Sequence, residues 1–174
     1  MELNKLRQMA DDTVVHKKLV LDNCSLMANY FFSTGDTEKA IQILKRGVEH
    51  DNSKFNYFEF KKLASILNGR TCFTNANEQL TEVEMEAIKY HWSHNKHHPE
   101  YYYDKDEEMD ELDIIEMACD WFARSIQYET DFIAFIKERQ KNRFKFEEAM
   151  FNTVLWYCEL ILKLYNEKTG SNKI

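Results

Sequence analysis

Glycine and proline are almost missing from this chain: four glycines and one proline in 174 residues. Tight turns and strand connections draw heavily on both residues, so so small a supply leaves few places for a sheet to reverse direction. Abundant Glu, Lys, Leu, Met and Ala supply helix formers instead. The expectation is an all-α fold, a single-domain helical bundle over residues 1–174. Twelve Phe, nine Tyr and three Trp suit large side chains interleaved between helices.

The net charge of −7, with the acid concentrated around Asp104 to Asp113, excludes a general nucleic-acid surface, which needs a basic stripe. It does not exclude a small anionic substrate, because a bound divalent ion inverts the local field. Cys24, Cys72, Cys119 and Cys158 are far apart and unpaired in pattern, as reduced core thiols of a cytoplasmic protein are. The start, MELNKLRQMADD, has no apolar segment of a secretory signal. No apolar run approaches the roughly 20 residues of a membrane span, so no membrane partner is expected.

Helical periodicity can be followed along the chain. Val15, Leu19, Met27 and Phe31, widened by Val14, Leu21 and Tyr30, mark a first helix over 12–32. Gly35 then stops it, and Asp36 or Thr37 caps a second helix whose stripe reads Ala40, Ile41, Leu44 and Val48. A third helix starts near Asn56, with Phe55, Phe58, Phe60, Leu63, Ile66 and Leu67 as its apolar residues, and ends at Asn68-Gly69. Residues 69–80 form a polar loop, and Thr81 with Glu84 makes a capping box for a fourth helix that must stop at Pro99. A fifth helix packs Leu112, Ile115, Cys119, Phe122 and Ile126, and carries Asp113, Glu116 and Asp120 on the adjacent face. A row of carboxylates is usually a solvated face; here Asp120 stands among Ala118, Cys119, Trp121 and Phe122, which argues for burial beside a cation or hydrogen-bond donors. A short helix in DFIAFIKERQ and a last one over Glu147 to Glu167 read as C-terminal scaffold, about 131–168.

Chemistry concentrates in the histidines. His50-Asp51 is a nitrogen and an oxygen ligand side by side, with Lys54 one turn later. A histidine at a helix C-terminus is the bland alternative for such a pair. Four of the six histidines, His91, His94, His97 and His98, fall inside HWSHNKHHPE at a frayed helix end, which gathers imidazoles and leaves room for water or substrate. His16, on its own surroundings, reads as a partly exposed polar residue.

Taken in order, His16, His50-Asp51 and Asp120 resemble the HD-domain superfamily of metal-dependent phosphohydrolases, whose pattern is a histidine, a His-Asp pair and a distant aspartate on a helical bundle. HDNSK looks like the superfamily's HD-x-G-K with Ser53 replacing glycine, and IIEMACDWFA is similar to the helix carrying its last aspartate. The combination of HDNSKF, NKHHPEYY and EMACDW further resembles a family of small bacterial and phage proteins, over about residues 12–125. The resemblance implies one or two divalent ions (Mn, Fe, Ni, Co, Zn or Mg). His16, His50, Asp51 and Asp120 would converge on a shared cavity, with His91 and His98 holding a second ion, His97 close behind, and His94 a bystander. It implies hydrolysis of a nucleotide or another small phosphate ester, with Lys54 on a phosphate oxygen, His97 in the reaction, and Glu100 orienting a histidine or the attacking water. Tyr101 to Tyr103 offer hydroxyls and ring faces to a nucleoside. Two other readings share the same residues: a di-iron oxygenase on this ligand set, and a non-enzymatic acidic helical interaction protein.

Overall fold

The computed structural model describes residues 3–66, 82–144 and 146–171. Among the described residues there are seven α-helices and no strand: α1 Leu3–Ser33, α2 Thr37–Glu49, α3 Tyr57–Ile66, α4 Glu82–Trp92, α5 Glu111–Tyr128, α6 Phe132–Arg139 and α7 Glu148–Thr169. Short 3-10 turns over Asn52–Phe55 and Pro99–Tyr102 and a π turn over Gln140–Phe144 join them. The all-α expectation holds. The 69–80 loop, the end of the third helix at Asn68-Gly69, the Thr81 capping box and Cys72 lie outside the described residues.

The chain forms two compact units, each built from two stretches of sequence: Met1–Val15 with Asp51–Glu107, and His16–His50 with Glu108–Ile174. In the first, Met9 packs against Leu63, Ala64 and Ala87, with Leu6 and Phe60 beside them. That burial explains why α1 starts at Leu3 rather than near Asp12: Leu6, Met9 and Thr13 recur at helical spacing and have a core to face. On α3 the inward face is Glu59 and Leu63, whereas Phe55 and Phe58, expected in the core, are exposed.

In the second unit, α5 is the central element. Its residues Asp113 through Ala123 are all buried, and α2, α6 and α7 pack on it. A capping box starts it: the Asp113 backbone N–H donates to Asp110 Oδ1 at 2.7 Å, and the Asp110 N–H to Asp113 Oδ2 at 3.3 Å. α1 ends in a Schellman turn, with Gly35 at φ +91° and Asp36 N–H donating to the Phe31 carbonyl at 2.9 Å. Asp36 then caps α2 by accepting from Lys39 N–H at 3.1 Å. The last helix buries Val154, Tyr157, Cys158 and Ile161 and is capped by Gly170, φ +66°.

Of the apolar stripe expected on α2, Ala40 alone faces inward. Ile41 and Val48 are 61% and 60% exposed and Leu44 is exposed too; Ala40, Ile43 and Gly47 are buried, and the capping residue His50 continues their line. Close approach decides the orientation: a Cβ on Gly47 would lie 2.7 Å from Cys24 Cβ and 3.2 Å from Leu21 Cδ1 on α1. The smallest residue therefore takes the tightest contact, and Ile41, Leu44 and Val48 turn to solvent. Gly47→Ala is expected to destabilise the protein despite alanine's roughly 1 kcal/mol advantage in a helix, because overpacking of this kind costs about 1–3 kcal/mol. Thermal melting checks it, and a melting temperature at or above that of the unsubstituted protein would show that α1 and α2 yield freely there.

Cys24, Cys119 and Cys158 are buried free thiols, as their scattered spacing suggested. Burial pushes the Cys119 and Cys158 thiols well above their ordinary range, so they pack as small apolar groups. No helix among the described residues is long and apolar enough to cross a membrane.

Candidate metal centre

Asp51 follows directly on His50, and the backbone there changes course. His50 caps α2 at φ −46° and ψ 131°, outside the helical range, and Asp51 takes a left-handed conformation at φ +53°. Aspartate tolerates that conformation better than most residues, so the turn after the pair forms with Ser53 where the HD-x-G-K pattern has glycine. The turn carries Asp51 into the first unit and leaves His50 in the second.

In the first unit Asp51, His91, His97 and His98 are all buried and each offers a ligand atom, the four lying within 4.8 Å of one another. α4 supplies His91 near its end, and the chain beyond it turns before Pro99 to bring in His97 and His98. His91 Nε2 lies 3.4 Å from Asp51 Oδ1 and 2.9 Å from His98 Nε2; His97 Nε2 lies 3.7 Å from Asp51 Oδ1. Atoms that each bind one ion at about 2.1 Å can be no more than about 4.2 Å apart, and these pairs fall inside that limit. Three imidazoles and one carboxylate make a donor set suited to borderline divalent ions. Burial, reinforced by the Lys54 ammonium, pushes His91 below the ordinary imidazole range against the opposing pull of Asp51 and Glu59. A neutral ring is the form that binds metal.

Lys54 Nζ lies 2.5 Å from Asp51 Oδ2, which sets a cation directly against this carboxylate. His94, by contrast, is exposed, stacks on Tyr90 at 4.1 Å and sits 2.7 Å from the Tyr90 carbonyl. Glu100 is half-buried in the Pro99–Tyr102 turn. Tyr101 and Tyr102 pack edge to face at 4.9 Å, and Tyr103 is exposed.

The second unit gathers His16, His50 and Asp120. His16 Nε2 lies 2.8 Å from Asp120 Oδ1 and His50 Nε2 3.9 Å from the same oxygen, with the two rings 5.5 Å apart. His16 is 1% exposed, which corrects its reading as a partly exposed polar residue. It belongs to a buried line on α1 through Thr13, Val20, Asn23 and Met27, while Val14 and Val15, assigned to the apolar stripe, face solvent. Glu116 and Asp113, on the face of α5 open to a solvated reading, are buried beside Arg46: Arg46 Nη1 reaches Asp113 Oδ1 and lies 3.3 Å from Glu116 Oε2. Glu116 Oε1 is 2.9 Å from His50 Nδ1.

Glu59 is the residue that sequence reasoning passed over. It is 1% exposed and its Oε1 lies 2.7 Å from His91 Nδ1. Its flanking Phe58 and Phe60 were the available signal, the same kind of apolar framing that marked Asp120.

The fold and these clusters define an all-α protein whose buried histidines and aspartates can hold a metal ion. The chain belongs to the Family of unknown function (DUF5662), whose model matches residues 5–159. No curated protein and no solved structure matches it.

Proposed function

We propose that this protein is a metal-dependent phosphohydrolase acting on a nucleotide or another small phosphate ester. The observation that carries the metal part is the buried quartet Asp51, His91, His97 and His98, whose ligand atoms lie within 4.8 Å of one another. The reaction class draws on the likeness of His16, His50-Asp51 and Asp120 to the HD pattern, and the clustering of His16, His50 and Asp120 in the second unit supports it. A bound divalent ion would lower the pKa of its water and offset charge building on the phosphoryl group.

The chain's own residues have separable parts in this reading. Asp51 brings the negative charge that a set of neutral imidazoles lacks, and His91 and His98 present ring nitrogens to the same centre. Lys54, a point charge already at Asp51, takes a phosphate oxygen. His97 completes the quartet near the reacting atoms, and Glu100 orients a histidine or the attacking water.

The test is a panel of nucleotides and phosphate esters incubated with protein loaded in turn with Mn, Fe, Co, Ni, Zn or Mg, and analysed for released phosphate and dephosphorylated product. Turnover of at least one compound, lost in His91→Ala, is the expected result. Folded, metal-loaded protein that leaves the whole panel intact would overturn the hydrolase reading.

A further inference from the structure

A metal-binding imidazole must present one nitrogen's lone pair to the ion, so the proton has to reside on the other nitrogen. Something must hold it there. In the quartet, His91 directs Nε2 toward Asp51 and His98, and Nδ1 toward Glu59 Oε1 at 2.7 Å. Glu59 comes from α3, is as buried as any residue of the site, and lies outside the quartet itself. Asn95 Nδ2 also approaches His91 Nδ1, at 3.1 Å, but it has the His91 carbonyl at 2.7 Å and Ser53 Oγ at 2.9 Å to receive its two hydrogens. The Nδ1 proton is thus left for the carboxylate.

We propose that Glu59 is a positioning residue, which holds His91 as its Nδ1–H form by accepting that proton and so aims the Nε2 lone pair at the metal position beside Asp51. The proposal rests on the metal reading given above. The second unit repeats the arrangement: His50 places Nδ1 2.9 Å from the buried Glu116 and turns Nε2 toward Asp120 at 3.9 Å. Two glutamates that do the same thing to two histidines on different helices are hard to ascribe to filling space. Each is a buried carboxylate that needs a partner: Glu116 has Arg46 as well as His50, and Glu59 has His91.

Two measurements test it. Long-range proton–nitrogen NMR of the metal-free protein is expected to show His91 protonated at Nδ1; protonation at Nε2 alone overturns the proposal without any variant. Titration with Co(II), followed by visible absorption, then compares wild type, Glu59→Gln, His91→Ala and the double variant, each checked for helical content by circular dichroism. Glu59→Gln is expected to weaken Co(II) binding about 10–100-fold, the usual effect of losing such a partner. On the His91→Ala background the same substitution should change little, since its effect passes through the ring. Equal weakening on both backgrounds, or Co(II) affinity within about twofold of wild type in folded Glu59→Gln, overturns the positioning role and leaves the metal reading standing. Wild-type protein that takes up no Co(II) removes the metal reading itself and Glu59's role with it.

Discussion

Asp51→Asn should lower the affinity of the protein for Co(II) or Zn(II) by roughly two orders of magnitude. Four-ligand sites bind zinc with about 10–16 kcal/mol, so one ligand among four accounts for about 3 kcal/mol, or about 100-fold. Asparagine is the informative choice at this position. Asp51 sits at φ +53°, a conformation asparagine accepts as readily as aspartate, and the two side chains are nearly the same size. The turn into the first unit is therefore kept, and what is removed is the carboxylate charge facing His91 at 3.4 Å and His97 at 3.7 Å. Asp51→Ala would confound ligand loss with strain in the left-handed residue. Metal content of protein prepared without chelator, by elemental analysis, together with competition titrations of the folded variant, gives the answer. Undiminished binding in Asp51→Asn would remove this carboxylate from the site.

The histidines were legible because their chemistry is local in sequence. HWSHNKHHPE gathers four imidazoles in a short stretch of sequence, although the helix stops at Trp92 rather than running on to Pro99, and the turns between them bring His97 and His98 inward. His50-Asp51 was legible for the same reason. Faces were read less well, because which side of a helix is inward depends on its neighbour. Val14 and Val15 are as apolar as any buried valine, yet α1 buries Thr13 and His16. On α2 the apolar stripe lost to Gly47, whose missing side chain permits a contact that no periodicity scan rewards. Polar residues in the core are a further blind spot: a scan for apolar spacing discards Glu59, His16 and Glu116 at the outset. Their burial follows only once a partner is known, whether His91 for Glu59, Asp120 for His16, or Arg46 and His50 for Glu116. Apolar flanks around a charged residue would have flagged Glu59 as they did Asp120.

Arg46→Met is expected to cost about 3 kcal/mol of stability and to lower the melting temperature by roughly 6–12 °C, taking about 2–4 °C per kcal/mol for a chain of this size. Arg46 reaches from α2 to α5, where it bonds Asp113, lies 3.3 Å from Glu116 and has Asp110 at 3.7 Å. Asp113 and Glu116 are buried at 1% and 7% exposure, so loss of the guanidinium leaves two carboxylates out of water with their shared cation gone. Breaking such a group by deleting one member costs about 3–5 kcal/mol; the guanidinium is 23% exposed, which places this case at the lower end. Lysine should recover only part of the loss, because a single ammonium cannot reach both carboxylates as the guanidinium fork does. The double variant Arg46→Met/Glu116→Gln should be less destabilised than the sum of its parts, since the neutral amide no longer needs the missing cation. Glu116 also faces His50 Nδ1, so the stability of this network and the orientation of a candidate ligand rest on the same carboxylate. Thermal and denaturant unfolding of these three variants and of Glu116→Gln decides the matter: a melting temperature within about 2 °C of wild type for Arg46→Met would mean that solvent, rather than Arg46, compensates the acidic face of α5.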